Sequence, residues 1–218
     1  MSNSRALVIT SIKQGETSSI VSCYLEEIGF KSFLVKGLYS QKKSSFSKAH
    51  FFPLNIININ YSFNESRNLG YIKEVKSEFL FNTIHTDIQK SSVIVFLSEI
   101  LNSVFREELE VNQGLFDFLL NSLLWYDNIK ECNNFHIKFL IELSKYIGFH
   151  PNIKNKEDMY FCLESGSTSN TKPLAANIQG KDLNLFKKLL GTKFEDLNTI
   201  TINSCLLYTS PSPRDGSE

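Results

Sequence analysis

Leu54-Asn55-Ile56-Ile57-Asn58-Ile59-Asn60-Tyr61 is the stretch that decides the fold. Leu54, Ile56, Ile59 and Tyr61, with Ile57 as an extra apolar residue, are set against Asn55, Asn58 and Asn60, and this two-residue period reads as a half-buried strand. Upstream, Ala6–Ile12 (A-L-V-I-T-S-I) is a β-rich run closed by Lys13-Gln14-Gly15-Glu16, a polar turn in which Gly15 supplies a positive φ. Ser18–Leu25 is the next such run, and Gly29 punctuates the chain before Phe30–Val35. Downstream, Gly70–Val75 is a shorter fifth candidate. Five short strands within roughly seventy-five residues, with one long basic loop, fit a small barrel of the OB type. Their spacing fits another small barrel almost as well.

After Phe81 the period changes. Val93, Leu97, Ile100/Leu101 and Val104/Phe105 recur at helical spacing from Lys90 to Glu108. Leu115–Tyr126 is apolar nearly all round, which predicts a buried central helix. Phe135–Ile147 predicts a third helix, closed by Gly148 with Pro151 beyond it. Asp182–Leu190 and Lys193–Leu197 predict shorter helices after a Gly/Ser/Thr/Asn-rich loop at Glu164–Lys172. The fold class is therefore α+β, an N-terminal β-barrel followed by an α-helical domain. The boundary falls near Thr83–Lys90, giving a barrel over 1–82 and a helical domain over 83–204.

The 218 residues carry 42% hydrophobic and 21% charged side chains and no net charge, the balance of a globular chain able to bury a core. The longest uncharged run, Ala49–Asn64, holds Pro53 and four asparagines, so no membrane span is read there, and the N-terminus lacks the pattern of a secretory signal. A cytoplasmic location is the expectation. Cys23, Cys132, Cys162 and Cys205 stand far apart without a C-x-x-C, and His50, His85, His136 and His150 show no i, i+4 pair. These read as idle thiols and structural imidazoles.

Charge is nevertheless clustered. Between Phe30 and Phe63 there are five Lys and no acidic residue, with Lys31, Lys36, Lys42, Lys43 and Lys48 interleaved with Phe, Tyr and Ser. A cationic, aromatic-bearing face on a β scaffold suits a polyanion, single-stranded nucleic acid above all; a solvated lysine loop is the plainer reading. Tyr39 and Phe46 are candidates for stacking on bases, Phe46 having the equal alternative of packing on the barrel. Catalytic chemistry is not legible: no G-x-x-x-x-G-K-[ST], no G-x-S-x-G, and Glu107, Glu108 and Glu110 read as a solvated helix end. No enzyme, metal or cofactor is expected.

Cys205–Asp215 (C-L-L-Y-T-S-P-S-P-R-D) looks like a translated sequencing adapter, and 205–218 is taken as a non-native tail. On that reading the native chain continues past about Ser204.

A-L-V-I-T-S-I-K-Q-G-E-T-S-S-I-V at Ala6–Val21, G-F-K-S-F-L-V-K-G at Gly29–Gly37, the basic loop and F-P-L-N-I at Phe52–Ile56 together resemble the RecO family of bacterial recombination mediators. K-Y-I-G-F-H-P-N-I at Lys145–Ile153 and F-C-L-E-S-G at Phe161–Gly166 extend the series, so the resemblance covers residues 5 to about 200 in order. It implies a DNA-binding OB-fold ahead of a helical domain, and a role in repair by homologous recombination. It implies binding of single- and double-stranded DNA, annealing of complementary strands, and joint action with RecR and single-strand-binding protein (SSB) to load RecA. Lys36, Lys42, Lys43 and Lys48 match the family's DNA-facing loop, and Ser45 and Ser47 stand where relatives often carry Arg, which implies weaker affinity. Many relatives hold zinc with two C-x-x-C pairs; near 155–172 this chain has Cys162 alone, so the expectation is a degenerate region without zinc. The family also continues past the point where the tail begins, so the helical domain is expected to be incomplete. The alternative is an interaction module whose apolar helical groove takes a partner peptide and whose barrel binds no nucleic acid. A nuclease would need a metal-binding carboxylate set that the sequence does not show.

Overall fold

The computed structural model describes residues 2–40, 46–63, 68–107, 111–131 and 133–202. Lys42, Lys43, Glu108, Glu110, Cys132 and the tail from Cys205 lie outside the described residues. Packing divides the chain into two compact units, Met1–Lys130 and Glu131–Glu218.

Five strands form the first unit's barrel: β1 (Ser2–Gln14), β2 (Ser18–Leu25), β3 (Gly29–Val35), β4 (Ile56–Ser62) and β5 (Gly70–Ser77). They close in the order β1-β2-β3-β5-β4. β1 exceeds its predicted length because it serves two partners: Ser2–Leu7 pair with Tyr61–Ile56, and Ala6–Gln14 with Leu25–Ser18. A bulge between Val8 and Thr10 bends it around the barrel. Leu54, predicted to open β4, instead takes φ 57 in the turn before it. Closure depends on the parallel pairing of β3 with β5, Phe33 opposite Gly70. A Cβ on Gly70 would lie 2.5 Å from the Phe33 ring and 2.9 Å from the Ser62 carbonyl, so glycine is required there. Inward residues Ala6, Val8, Val21, Phe33, Val35, Ile57 and Ile59 fill the core, each removed from solvent. Cys23 lies among them, and burial pushes its thiol pKa up, which keeps it inert.

Two helices pack on this barrel. α1 (Ile88–Phe105) is capped by Asp87, whose carboxylate accepts from the Lys90 N–H at 2.9 Å. By length and composition alone α1 is apolar enough to cross a membrane, yet Ile94, Leu97, Leu101 and Phe105 are buried in a stripe. α2 (Gln113–Asn128) is capped by Asn112. It buries Leu115, Phe116, Leu119, Leu123 and Tyr126, while Asp117, Asn121 and Asn128 are exposed and Phe118, Leu120, Leu124 and Trp125 half-buried. It is therefore not the all-round-buried centre of a bundle. Its first turn is held to the barrel: Gln113 donates to Glu26 at 2.9 Å, Tyr24 Oη accepts from the Asn112 N–H, and Arg5, in a two-pronged pair with Glu26, lies over the Phe116 ring.

The change from strands to helices falls between β5 and α1, but compact packing continues to Lys130. The cause is the junction around Asp127, whose carboxylate accepts from the backbone N–H groups of Asn82, Thr83 and Ile84. Lys90, buried, donates to Thr83 Oγ1 and to the carbonyls of Tyr126, Asp127 and Ile129.

In the second unit, α3 (Phe135–Leu143) stops earlier than predicted, and the chain turns out to Gly148 at φ +79. Three short strands follow, β6 (Tyr160–Cys162), β7 (Ser167–Ser169) and β8 (Asn177–Gln179), with β6 central. Three residues per strand are too few for a periodic signal, so β7 was hidden in the predicted loop. α4 (Gly180–Gly191) and a 3-10 turn at Phe194–Thr199 complete the unit. Phe135, Phe139, Leu183, Leu189 and Leu197 form its interior. Lys138, buried like Lys90, pairs with Glu142 at 2.7 Å and donates to the Leu189 and Leu190 carbonyls.

Candidate nucleic-acid interface

β3 carries the basic stretch into the loop that leads to β4. At Gly37 the chain takes φ +74, and the Tyr39 N–H donates to the Thr17 carbonyl at 2.9 Å, which pins the loop against the β1–β2 turn. That turn brings in Lys13. The Tyr39 ring consequently meets two ammonium groups, Lys48 Nζ at 4.7 Å and Lys13 Nζ at 5.5 Å from its centroid. Lys48 is positioned by the 3-10 turn Lys48–Phe51, whose N-cap Ser47 accepts from the Ala49 N–H.

Lys36, just past β3, has its Nζ 5.2 Å from the centroid of Tyr71 on β5. The pairing of Leu34 with Tyr71 sets that contact. Lys31, nearer the start of β3, has its Nζ 5.6 Å from the Phe63 ring. Lys13, Lys36 and Lys48 are exposed and Lys31 half-buried. Each of these contacts is worth about 0.5–1 kcal/mol at an exposed site, enough to bias a side chain and too little to fix it.

Of the predicted residues, Tyr39 and Lys48 meet directly, while Lys31 and Lys36 lie toward opposite ends of β3. Phe46 packs against the barrel core, its ring 6.3 Å from Phe51, so packing accounts for its position. Lys13, Tyr71 and Phe63 are additional members. Lys13 lies before the basic stretch and Tyr71 joins it through a parallel pairing that no local pattern announces.

Among the described residues, no group of three or more His, Cys, Asp or Glu side chains is placed to hold a metal ion. Cys162 closes β6, hydrogen bonds from Ser165 lower its thiol pKa, and the neighbouring loop is held by Thr168 Oγ1 accepting from the Lys154 N–H. Lys187 donates to the Lys156 and Asp158 carbonyls, tying that loop to α4.

Comparison with known proteins gives one family for both parts of the chain. Residues 1–81 match the family model described as "Recombination protein O N terminal", and 85–205 the one described as "Recombination protein O C terminal". The "DNA repair protein RecO" of Flavobacterium psychrophilum is 40% identical over 200 residues, covering 92% of this chain and 83% of the relative. That of Flavobacterium johnsoniae is 38% identical, covering 88% and 80%. That of Phocaeicola vulgatus is 32% identical, covering 92% and 86%.

Proposed function

The chain belongs to the RecO family of DNA repair and recombination proteins, and from that premise we propose that its barrel binds single- and double-stranded DNA and anneals complementary strands. The observation that carries the reading is the set of barrel lysines seated on aromatic rings: Lys31 on Phe63, Lys36 on Tyr71, Lys13 and Lys48 on Tyr39. A base stacking on such a ring gains about 1–3 kcal/mol, more than the contact it displaces. The displaced ammonium then reaches for a phosphate. Lys42 and Lys43, between Lys36 and Lys48 in the sequence, add to the basic character of this stretch.

Annealing needs no covalent chemistry. Two strands repel through their phosphates, and a cationic surface that holds both lowers the barrier and raises their local concentration. The family resemblance supports the rest of the proposal: action with RecR and SSB, loading of RecA on coated strands, and a cytoplasmic location.

Annealing of two complementary fluorescent oligonucleotides, at low and moderate salt, with and without SSB, tests this. Salt-sensitive acceleration without nucleotide or metal is the expected result. A folded chain that gives no acceleration overturns it in favour of the interaction-module reading.

A further inference from the structure

We propose that the cleft between the start of β3 and the C-terminal end of α1 is a second nucleotide subsite, which takes one phosphate and one base of a single strand. The inference rests on the reading that the barrel binds DNA. The cleft encloses about 380 Å³ and is lined by Phe30, Lys31, Ser32, Asn68, Phe105 and Arg106.

Its floor is rigid. Phe105 is 1% exposed, and its ring stands 5.9 Å from that of Phe30 at 49°, so Phe30 is held at a fixed tilt while remaining half-exposed. A ring supported by a buried neighbour and still partly open to solvent can stack on a base. Two basic residues line the cleft from different elements, Lys31 from β3, its Nζ 5.6 Å from the Phe63 ring, and Arg106 from the C-cap of α1. A guanidinium offers a planar fork of donors that matches phosphate oxygens, and a neighbouring ammonium adds a mobile second charge. Ser32 and Asn68 supply short polar groups for a base edge. The volume lies within the range of ligand-sized sites.

Position gives the cleft its meaning. Lys31 and Lys36 are five residues apart on one extended chain, about 16 Å. Lys36 and Tyr71 thus mark one end of β3, and the cleft marks the other. Between them the outer face presents Ser32, whose Oγ lies 3.0 Å from that of Ser22 on β2, and Leu34. The β2–β3 face is the one OB-folds offer to oligonucleotides. A strand that crosses it meets Phe30 and Arg106 at one end, Tyr71 and Lys36 at the other, and the uncharged Ser32 and Leu34 between them. The path therefore runs the length of β3 rather than following the lysine loop alone.

The test is fluorescence anisotropy of oligothymidylates from about four to about sixteen nucleotides, with wild type and the double variant Lys31→Gln/Arg106→Gln. Arg106 is exposed and Lys31 half-exposed, so folding is not at stake. Wild-type affinity should rise with length to a plateau. In the variant the plateau should come at a shorter length, with affinity for the longest oligonucleotide down about tenfold and the log–log salt slope less negative by about 0.7, the loss of one phosphate contact. A variant with unchanged plateau and slope, beside a wild type that binds, overturns the subsite and leaves the DNA reading standing. A wild type that binds no length overturns the DNA reading and the subsite together.

Discussion

Lysine does opposite work in two regions of this molecule. On the barrel's outer side Lys13, Lys36 and Lys48 reach into solvent over aromatic rings. At the helix junctions Lys90 and Lys138 are 5% and 3% exposed. What separates them is the supply of acceptors. The last carbonyls of an α-helix have no intrahelical partner and carry the negative end of the helix dipole. Lys90 meets the end of α2, with Nζ 2.9 Å from the Tyr126 oxygen, 3.2 Å from that of Asp127 and 2.6 Å from that of Ile129. Lys138 meets the end of α4, 3.2 Å from the carbonyls of both Leu189 and Leu190. A buried ammonium is tolerable when each N–H finds an oxygen. The ring-seated lysines lack that anchorage, which leaves them available to a ligand.

The comparison breaks hardest at Lys90. Lys90→Met keeps the apolar stem but takes the donor from the Tyr126 and Ile129 carbonyls at the end of α2, that of Asp127 keeping Thr83 Oγ1, and should cost the first unit about 3–5 kcal/mol. Urea unfolding followed by near-ultraviolet circular dichroism measures it. A loss under about 1 kcal/mol would show that the ammonium is not the cap of α2. Lys138→Met should cost less, about 2–3 kcal/mol, because Lys145, 2.6 Å from Glu142, still faces that carboxylate. Hydrogen exchange should show faster opening of α3 and α4 amides with barrel amides unchanged. Protection lost equally in both units would contradict the separate roles.

The outer lysines predict the reverse pattern. Lys36→Gln/Lys48→Gln should leave thermal stability within about 0.5 kcal/mol of wild type. Its log–log salt slope for single-stranded DNA should be less negative by about 1.4, from about 0.7 per phosphate contact. An unchanged slope would mean that these two lysines touch no phosphate.

The sequence distinguishes these classes of lysine poorly. Strand period and turn chemistry identify β2 and β3 almost to the residue, because each is a continuous half-buried run bounded by glycine or a polar turn. Lys36 and Lys48 stand out because no acid interrupts their stretch. Lys90 and Lys138 each stand in a helical segment, and what buries them is the end of another helix 36 to 52 residues further along the chain. Tyr71 and Arg106 were illegible for the same reason: one reaches the basic face through the parallel β3–β5 pair, the other through the packing of α1. The all-round apolar character of α2 misled because periodicity reports which residues seek burial, while the barrel offers one surface to cover.

Acid sharpens the comparison between the two junctions most finely. Each junction holds a carboxylate: Asp127 at the first, Glu142 at the second. Burial pushes the pKa of Asp127 up, but the N–H groups of Asn82, Thr83 and Ile84 outweigh it and hold the group below 3.8. Burial likewise pushes Glu142 up, and hydrogen bonds from Lys138 and Lys145 outweigh it and hold the group below 4.5. A carboxyl whose folded pKa is depressed contributes stability that is fully present above its unfolded pKa and is lost as pH falls through the folded value. The contribution of Glu142 should therefore begin to erode near pH 4.5 and that of Asp127 only near pH 3.8. Burial also depresses His85, His136 and His150, whose effects begin below pH 6.5, so whole-protein melting mixes several titrations. The Asp127 charge raises His85 and the Glu142 charge raises His150, so the gaps are measured in a His85→Gln/His150→Gln background, and subtraction then removes His136, which is common to both proteins. The stability gap between wild type and Glu142→Gln should start to close at a higher pH than the gap between wild type and Asp127→Asn. Two gaps that stay flat down to about pH 3 would mean that neither carboxylate is held ionised by its junction.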